Sequence, residues 1–369
     1  MGLCEIKSEL FWEGKESVLF LNPRLQKEKQ EHIKKEIQAY LGEESVWIKS
    51  SGTESSQEGK DKLVKLSKKA VLAAAKSVNA FYEVSKEDIW LNTLPVFHIG
   101  GLAIFARSYL SGSKVINLEK WSVEDCFQSI EKNKISLISL VPTQVYDLLQ
   151  LGLRAPKSLR LAIVGGGALS ESLYNQAKDL GWPLVPSYGM TETCALMAGA
   201  ELSSLRANEN PRLKILSHIQ LKKENQSYIC FSESLFQGYL LIGKQDVIWV
   251  PQEGGFRIDD RLEVTDGYLK VLGRETDLVK ILGETVDISF LEKKIQESLP
   301  DKNRRVAIVA KPHDRRGYDL EAFIEGAVLN FKLEEFNKIV MPYERLSKIT
   351  YKKSFPTSEL GKILKHQLT

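Results

Sequence analysis

Cysteine, histidine and methionine are scarce in this 369-residue chain, with four, five and four residues respectively. The cysteines, Cys4, Cys126, Cys194 and Cys230, lie far apart, with neither a CxxC pair nor a Cys/His spacing. That argues against a disulfide framework or a structural zinc site, and it fits a reducing compartment. Long apolar runs are also lacking: none approaches the roughly 20 residues a membrane helix needs, so membrane insertion is not expected. Nor does one sign of charge dominate. Fifty-one Lys and Arg stand against 48 Asp and Glu, a net charge of +3 spread along the chain. Nucleic acid is therefore not an expected partner, while small anions meet a mildly favourable field. The start, Met1-Gly2-Leu3-Cys4-Glu5-Ile6, lacks the features of a signal peptide and the Ser or Thr of a myristoylation signal at position six. The cytoplasm is the expected location, and oligomeric state is not readable.

What is present is the composition of a globular protein, 43% hydrophobic and 27% charged, at a length that implies two domains. The spacing of Leu63, Leu66, Ala70, Ala73, Ala74 and Ser77 predicts a helix from Leu63 to Tyr82. The middle of the chain then alternates. Ile135–Val141 reads as a buried strand, and Pro142 opens a helix, as proline does in a first turn. Leu159–Val164 is a second strand, and Ser170 caps the next helix, which runs to about Leu180. Trp182–Pro186 is a third strand. Strand, helix, strand, helix, strand implies a mainly parallel sheet covered by helices, an α/β fold. From about Gln237 the pattern becomes rich in strands and turns. After Gly273 a smaller α+β unit follows, with a helix near Ser289–Ser298, strands at Arg305–Ala310 and Leu320–Glu325, a helix near Leu333–Val340 and a basic tail. The predicted domains are 1–275 and 276–369, with the boundary near Gly273–Asp277.

Chemistry concentrates in a few stretches. Ser187-Tyr188-Gly189-Met190-Thr191-Glu192-Thr193 follows the third strand, at the end where open α/β sheets bind ligands. Its aromatic ring can stack on a base, its hydroxyls can donate to phosphate, and its carboxylate can hold Mg²⁺. Read alone it is equally a polar loop. Ser50-Ser51-Gly52-Thr53 with Gly59-Lys60 has the small residues, hydroxyls and charge of a phosphate loop, or of a solvated one. It is not a Walker A loop, because six residues separate Gly52 from Gly59 and Asp61 replaces Ser or Thr. Gly165-Gly166-Gly167 between strand and helix serves either as a tight turn or as a bed for a nucleotide. His98, in Leu94-Pro95-Val96-Phe97-His98-Ile99-Gly100-Gly101, suits a satisfied core position. Arg107 lies nine residues on in an apolar run, so it must be ion-paired, face solvent or bind a ligand carboxylate. Lys362, between Gly361 and Ile363, has the flanks of a held residue.

In this order the pieces resemble the ANL superfamily of adenylate-forming enzymes over about Ser50 to Lys365. Within it, the Leu94–Gly101 stretch with Arg107, and Ser139–Gln144, look like the o-succinylbenzoate–CoA ligases of menaquinone biosynthesis. The resemblance implies ATP, Mg²⁺ and coenzyme A as cofactor, metal and co-substrate, and a small carboxylic acid as substrate. It places the ATP phosphates on Ser50, Ser51, Gly52, Thr53 and Lys60, and adenine beside Gly165–Gly167 and Tyr188-Gly189. It places the ribose on Asp260 and Arg274, Mg²⁺ on Glu192, and the acid near His98, Arg107 and Gly189. It casts Lys362, Thr191, Glu192 and His98 as catalytic, Gly283 as the CoA-side residue, and Thr276 or Asp277 as a hinge. Departures accompany it. Residues 54–58 lengthen the phosphate loop, Thr276 stands where an Asp is usual, and few residues precede the loop, so the wall beside the acyl site is expected to be abbreviated. The alternatives are a ligase for another aryl or fatty acid, or a nucleotide-binding remnant without turnover.

Overall fold

The structure, a computed structural model, describes residues 6, 8–49, 60–206, 211–243, 246–274, 277–281, 284–313, 317–328, 331–359 and 361–368, with the backbone alone at 274, 280 and 285. In chain order the strands are β1 (Val18–Phe20), β2 (Ser45–Lys49), β3 (Asp61–Ser67), β4 (Ile89–Asn92), β5 (Lys114–Asn117), β6 (Leu137–Leu140), β7 (Leu161–Val164) and β8 (Leu184–Met190). They continue with β9 (Ala195–Ala200), β10 (Leu213–Ile215), β11 (Gln220–Glu224), β12 (Ser227–Phe231), β13 (Gly238–Ile242), β14 (Val247–Pro251), β15 (Phe256–Ile258), β16 (Asp260–Thr265) and β17 (Tyr268–Arg274). The last are β18 (Leu278–Ile281), β19 (Glu284–Asp287), β20 (Val306–His313), β21 (Gly317–Glu325) and β22 (Leu346–Lys352). The chain forms two compact units, one of Met1–Ile258 with Val264–Lys270, the other of Asp259–Glu263 with Val271–Thr369.

In the first unit β5, β4, β6, β7 and β8 lie side by side and parallel. β9 and β10 extend that sheet antiparallel. Helices between the parallel strands cover it, as right-handed crossovers require. Their signals are local and were legible: Pro142 opens the helix Pro142–Gln150, and Ser170 Oγ accepts the Leu173 N–H at the head of Glu171–Asp179. Trp90, Leu137, Leu161, Ile163 and Val185 project from the strands into one core, with Leu102 and Phe105 of the helix Ile99–Ser111 against them. Each such aliphatic side chain contributes about 1.5–3 kcal/mol by leaving water.

Two predicted elements differ. Leu63–Ser67 is not the start of a helix but most of strand β3, and the helix runs from Lys68 to Phe81. Leu63, Val64 and Leu66 fit either period. Tertiary pairing decides: β3 lies between β2 and β13, with Ile48 opposite Val64 and Leu240 opposite Leu63, while Ser67 Oγ accepts the Ala70 N–H and starts the helix one residue later. The third predicted strand begins at Leu184, not Trp182, and runs through Ser187–Met190 because β9 supplies a partner, Gly199 opposite Ser187 and Ala198 opposite Tyr188. Much of the cluster expected as a loop is therefore strand.

The second unit is a three-stranded sheet, β20-β21-β22, with the helix Ile288–Ser298 and the β18–β19 hairpin packed around Leu291, Ile295, Ile308, Leu320 and Ile324. Among the described residues no helix is long and apolar enough to cross a membrane.

Candidate active site

The carboxyl ends of β6, β7 and β8 converge on the glycine turn. Gly166 has φ +77°, a left-handed conformation only glycine adopts freely. A Cβ on Gly165 would stand 2.9 Å from Ser187 Oγ, which itself donates to the Val164 carbonyl at 3.0 Å. The turn is thus pressed against β8, just before Tyr188. Gly189 is needed for a different reason: a Cβ there would lie 1.7 Å from the Ala195 carbonyl oxygen, where the β8–β9 register shifts. The chain reverses through the short turn Thr191–Thr193, with Cys194 at φ 55° and Ala195 at φ 96°. A positive φ at Ala195 is a strained backbone, of the kind structures concentrate at functional sites. The reversal presents half-buried Thr191 and Glu192 side by side.

Glu192 is held firmly. Its backbone carbonyl accepts the Phe236 N–H at 2.9 Å. Its Oε1 accepts from Tyr239 Oη at 2.9 Å and lies 3.4 Å from Lys62 Nζ. The Lys62 ammonium sits 3.7 Å above the Tyr239 ring centre, a cation–π arrangement. Oε2 takes no hydrogen bond from the described residues. Mg²⁺ is usually held by one or two carboxylates together with substrate phosphates and water. Glu192 with an open oxygen fits that mode, and among the described residues no group of three His, Cys, Asp or Glu could hold a metal without help from a ligand. Lys60, the lysine expected on phosphate, is ion-paired to Asp246 at 2.7 Å. Lys62, two residues on in the same Gly59-Lys60-Asp61-Lys62 run, lies within β3 and reaches the Glu192 carboxylate, whereas Lys60 stands just before the strand. Tyr239 had no local signal at all.

The surroundings of His98 and Arg107 are of another kind. His98 precedes the helix Ile99–Ser111, half-buried, and burial pushes its imidazole down to about 4. Arg107, on that helix, is only 2% exposed. Its guanidinium stands 5.7 Å from the Trp90 ring centre, and burial pushes it down to about 10. Among the described residues no carboxylate pairs with it, and Arg107 Nε, Trp90 Nε1 and Tyr82 Oη are buried without hydrogen-bond partners. Of the readings open from sequence, the structure shows neither an ion pair within the described residues nor a solvent-facing side chain.

In the second unit Asp260 is half-buried in β16, and the backbone of Arg274 closes β17. Lys362 belongs to a tight reversal: Ser358 N–H donates to the Lys362 carbonyl at 2.8 Å, Lys362 N–H donates to Ser358 Oγ at 3.1 Å, and Gly361 takes φ +72°. Thr357 bridges Ile363, and Phe355 and Ile363 pack on Ala307, Phe323 and Leu368. The expected held geometry is present. Three residues further, Lys365 Nζ donates to the half-buried Glu292 carboxylate at 2.7 Å, with Asp277 at 4.0 Å. Ser50, Ser51, Gly52, Thr53, Thr276 and Gly283 lie outside the described residues. A separate cleft of about 420 Å³ between the helix Lys68–Phe81 and the β11–β12 region, lined by Lys76, Ser77, His218 and Glu233 among others, contains none of the expected site residues.

Parallel strands ending on a glycine turn, with a carboxylate that keeps one oxygen open on the turn after β8, define an α/β protein with a nucleotide-type site. Residues 19–227 match the AMP-binding enzyme family, and the chain belongs to that family. Among curated relatives it is 27% identical over 286 residues to the 2-succinylbenzoate–CoA ligase of Lactococcus lactis, covering 76% of this chain and 62% of that one. It is 29% identical over 215 residues to the enzyme of that name from Bacillus subtilis, covering 55% and 44%. The chain thus spans less than two thirds of the length of these relatives. Among solved structures the fold resembles o-succinylbenzoate coenzyme A synthetase from Bacillus subtilis in complex with AMP, with a TM-score of 0.75 at 23% identity over 100% of this chain and 81% of that one.

Proposed function

We propose that the chain activates a carboxylic acid, o-succinylbenzoate as first choice, with MgATP to an acyl-adenylate, and passes the acyl group to coenzyme A with release of AMP and pyrophosphate. The observation that carries this reading is Glu192, presented with one oxygen open beside Thr191 on the turn that follows β8, inside the matched AMP-binding region. The names of the curated relatives supply the acid. The metal, when bound, neutralises phosphate charge and orients the α-phosphorus. A carboxylate attacks that centre poorly, so the chain's work is positioning and charge stabilisation. In this reading Ser50–Thr53 and Lys60 receive phosphate, Tyr188 faces the base, Asp260 and Arg274 take the ribose, and His98, Gly189 and Arg107 face the acid. Lys362, fixed in its reversal, stabilises the α-phosphoryl oxygens. We place the reaction in the cytoplasm, where ATP and coenzyme A are held.

The proposed domains are 1–275 and 276–369, with Thr276–Asp277 as the pivot that exchanges Lys362 for Gly283 between half-reactions. Full burial of Arg107 favours a second reading, a ligase for another aryl or fatty acid. ATP–pyrophosphate exchange across a panel of carboxylic acids separates the two, and the absence of exchange with any acid despite ATP binding would sink both. Lys362→Ala is expected to lower exchange about 10²–10³-fold, the scale of losing one such donor; near-normal exchange would remove Lys362 from the site. Thr276→Pro is expected to slow thioester formation more than adenylation, and an equal loss in both half-reactions would exclude that pivot.

A further inference from the structure

We propose that Lys62 is a stand-in cation for Glu192: it neutralises the carboxylate while no metal is bound, and is displaced along the Tyr239 ring when a divalent cation arrives. This rests on the reading of Glu192 as the metal carboxylate. The Glu192 side chain is only 14% exposed, so its charge needs a partner even in the empty site. Among the described residues Lys62 is the one cation on it, and the contact is loose. The distance of 3.4 Å is long for a charge-assisted bond, which runs about 2.7–2.9 Å. Lys60, by contrast, grips Asp246 at 2.7 Å.

What holds the ammonium in place is the Tyr239 ring 3.7 Å beneath it, a face along which it can slide without being stranded. Both Lys62 and the Tyr239 hydroxyl lie on Oε1, which leaves Oε2 for a second cation. Once a dication sits there, repulsion at a few ångströms in a partly dry site opposes Lys62 staying where it is. Metal and Lys62 therefore compete for one carboxylate. The sign of that coupling sets the inference apart from a purely supporting role, in which removing Lys62 would weaken the metal site.

The test is Mn²⁺ binding to the full-length, nucleotide-free protein, read by electron paramagnetic resonance. Lys62→Met is expected to tighten Mn²⁺ binding at least about tenfold, Lys62→Arg to stay near wild type, and Glu192→Gln to abolish it. In metal-free buffer Lys62→Met should melt lower than wild type. Either added Mn²⁺ or the second change Glu192→Gln should restore the melting temperature, so a poorly folding single variant still leaves a readable double variant. Unchanged or weaker Mn²⁺ binding in Lys62→Met overturns the inference while leaving Glu192 as the metal ligand. Wild-type Mn²⁺ binding in Glu192→Gln overturns the metal role itself, and with it the basis of the inference. Melting that neither Mn²⁺ nor the second change restores would show a structural role for Lys62 instead.

Discussion

Around Glu192 the described polar contacts are largely satisfied, whereas around Arg107 they are not. The carboxylate is anchored by its own backbone, a phenol and a lysine, and keeps one oxygen in reserve. The guanidinium is deeper, lacks a counter-charge among the described residues, and shares its surroundings with two further orphaned donors, Tyr82 Oη and Trp90 Nε1. A buried polar group without a partner costs about 1–3 kcal/mol, more when charged. Such groups are completed by a ligand or by buried water. In the proposed reading the nucleotide side carries its contacts before a ligand arrives, while the acyl side keeps donors that a ligand can complete.

The largest expected effect falls on the built side. Glu192→Gln keeps the shape, Tyr239 can still donate to the amide oxygen, and the charge is lost. Adenylation should fall about 10²–10³-fold, with little change in melting temperature. A large fall in melting temperature would mean that the carboxylate serves the fold, and the contrast with Arg107 would lose its first half.

Arg107→Met tests the other half, and its signs are opposite in the two readouts. Replacing an uncompensated buried cation by a hydrophobe of similar length should leave stability unchanged or higher. Use of o-succinylbenzoate should fall by about 1.5–3 kcal/mol in kcat/KM, roughly 10- to 150-fold, the scale of a hydrogen bond to a charged group. Lower stability with unchanged kcat/KM would make Arg107 a structural residue held over Trp90, and would turn the substrate reading toward another acid.

How much of this was legible depended on the range of each cause. The helix starts at Pro142 and Ser170 and the turn at Gly165–Gly167 are set by neighbours in sequence, and the chain announces them. β3 was settled by its pairing with β2 and with β13, which follows long after it, and Leu63, Val64 and Leu66 satisfy a helical period in the meantime. Lys62 was masked by Lys60, which sits beside Gly59 as a phosphate-loop lysine would; their separate partners, Asp246 and Glu192, come from distant stretches of the chain. The orphaned donors around Arg107 arise from a strand and two helices packing together, so no window of sequence contains them.

The smallest expected effect compares His98, on the acyl side, with His218, in the separate cleft. Burial pushes both imidazoles down to about 4 from an ordinary value near 6.5. The folded chain therefore binds fewer protons than the unfolded one between those values. Each histidine's contribution is fully present above about pH 6.5 and is lost as pH falls towards 4, at about 1.4 kcal/mol per pH unit. His218→Gln should flatten the loss of stability between pH 6.5 and 4.5, seen as urea midpoints, and leave adenylation at pH 7.5 unchanged. His98→Gln should flatten it equally and also lower use of the acid, because in the proposed reading that ring faces the acid. If His218→Gln also depressed adenylation, the cleft and the acyl side would be coupled, and the division drawn between a built side and a ligand-completed side would need a third region.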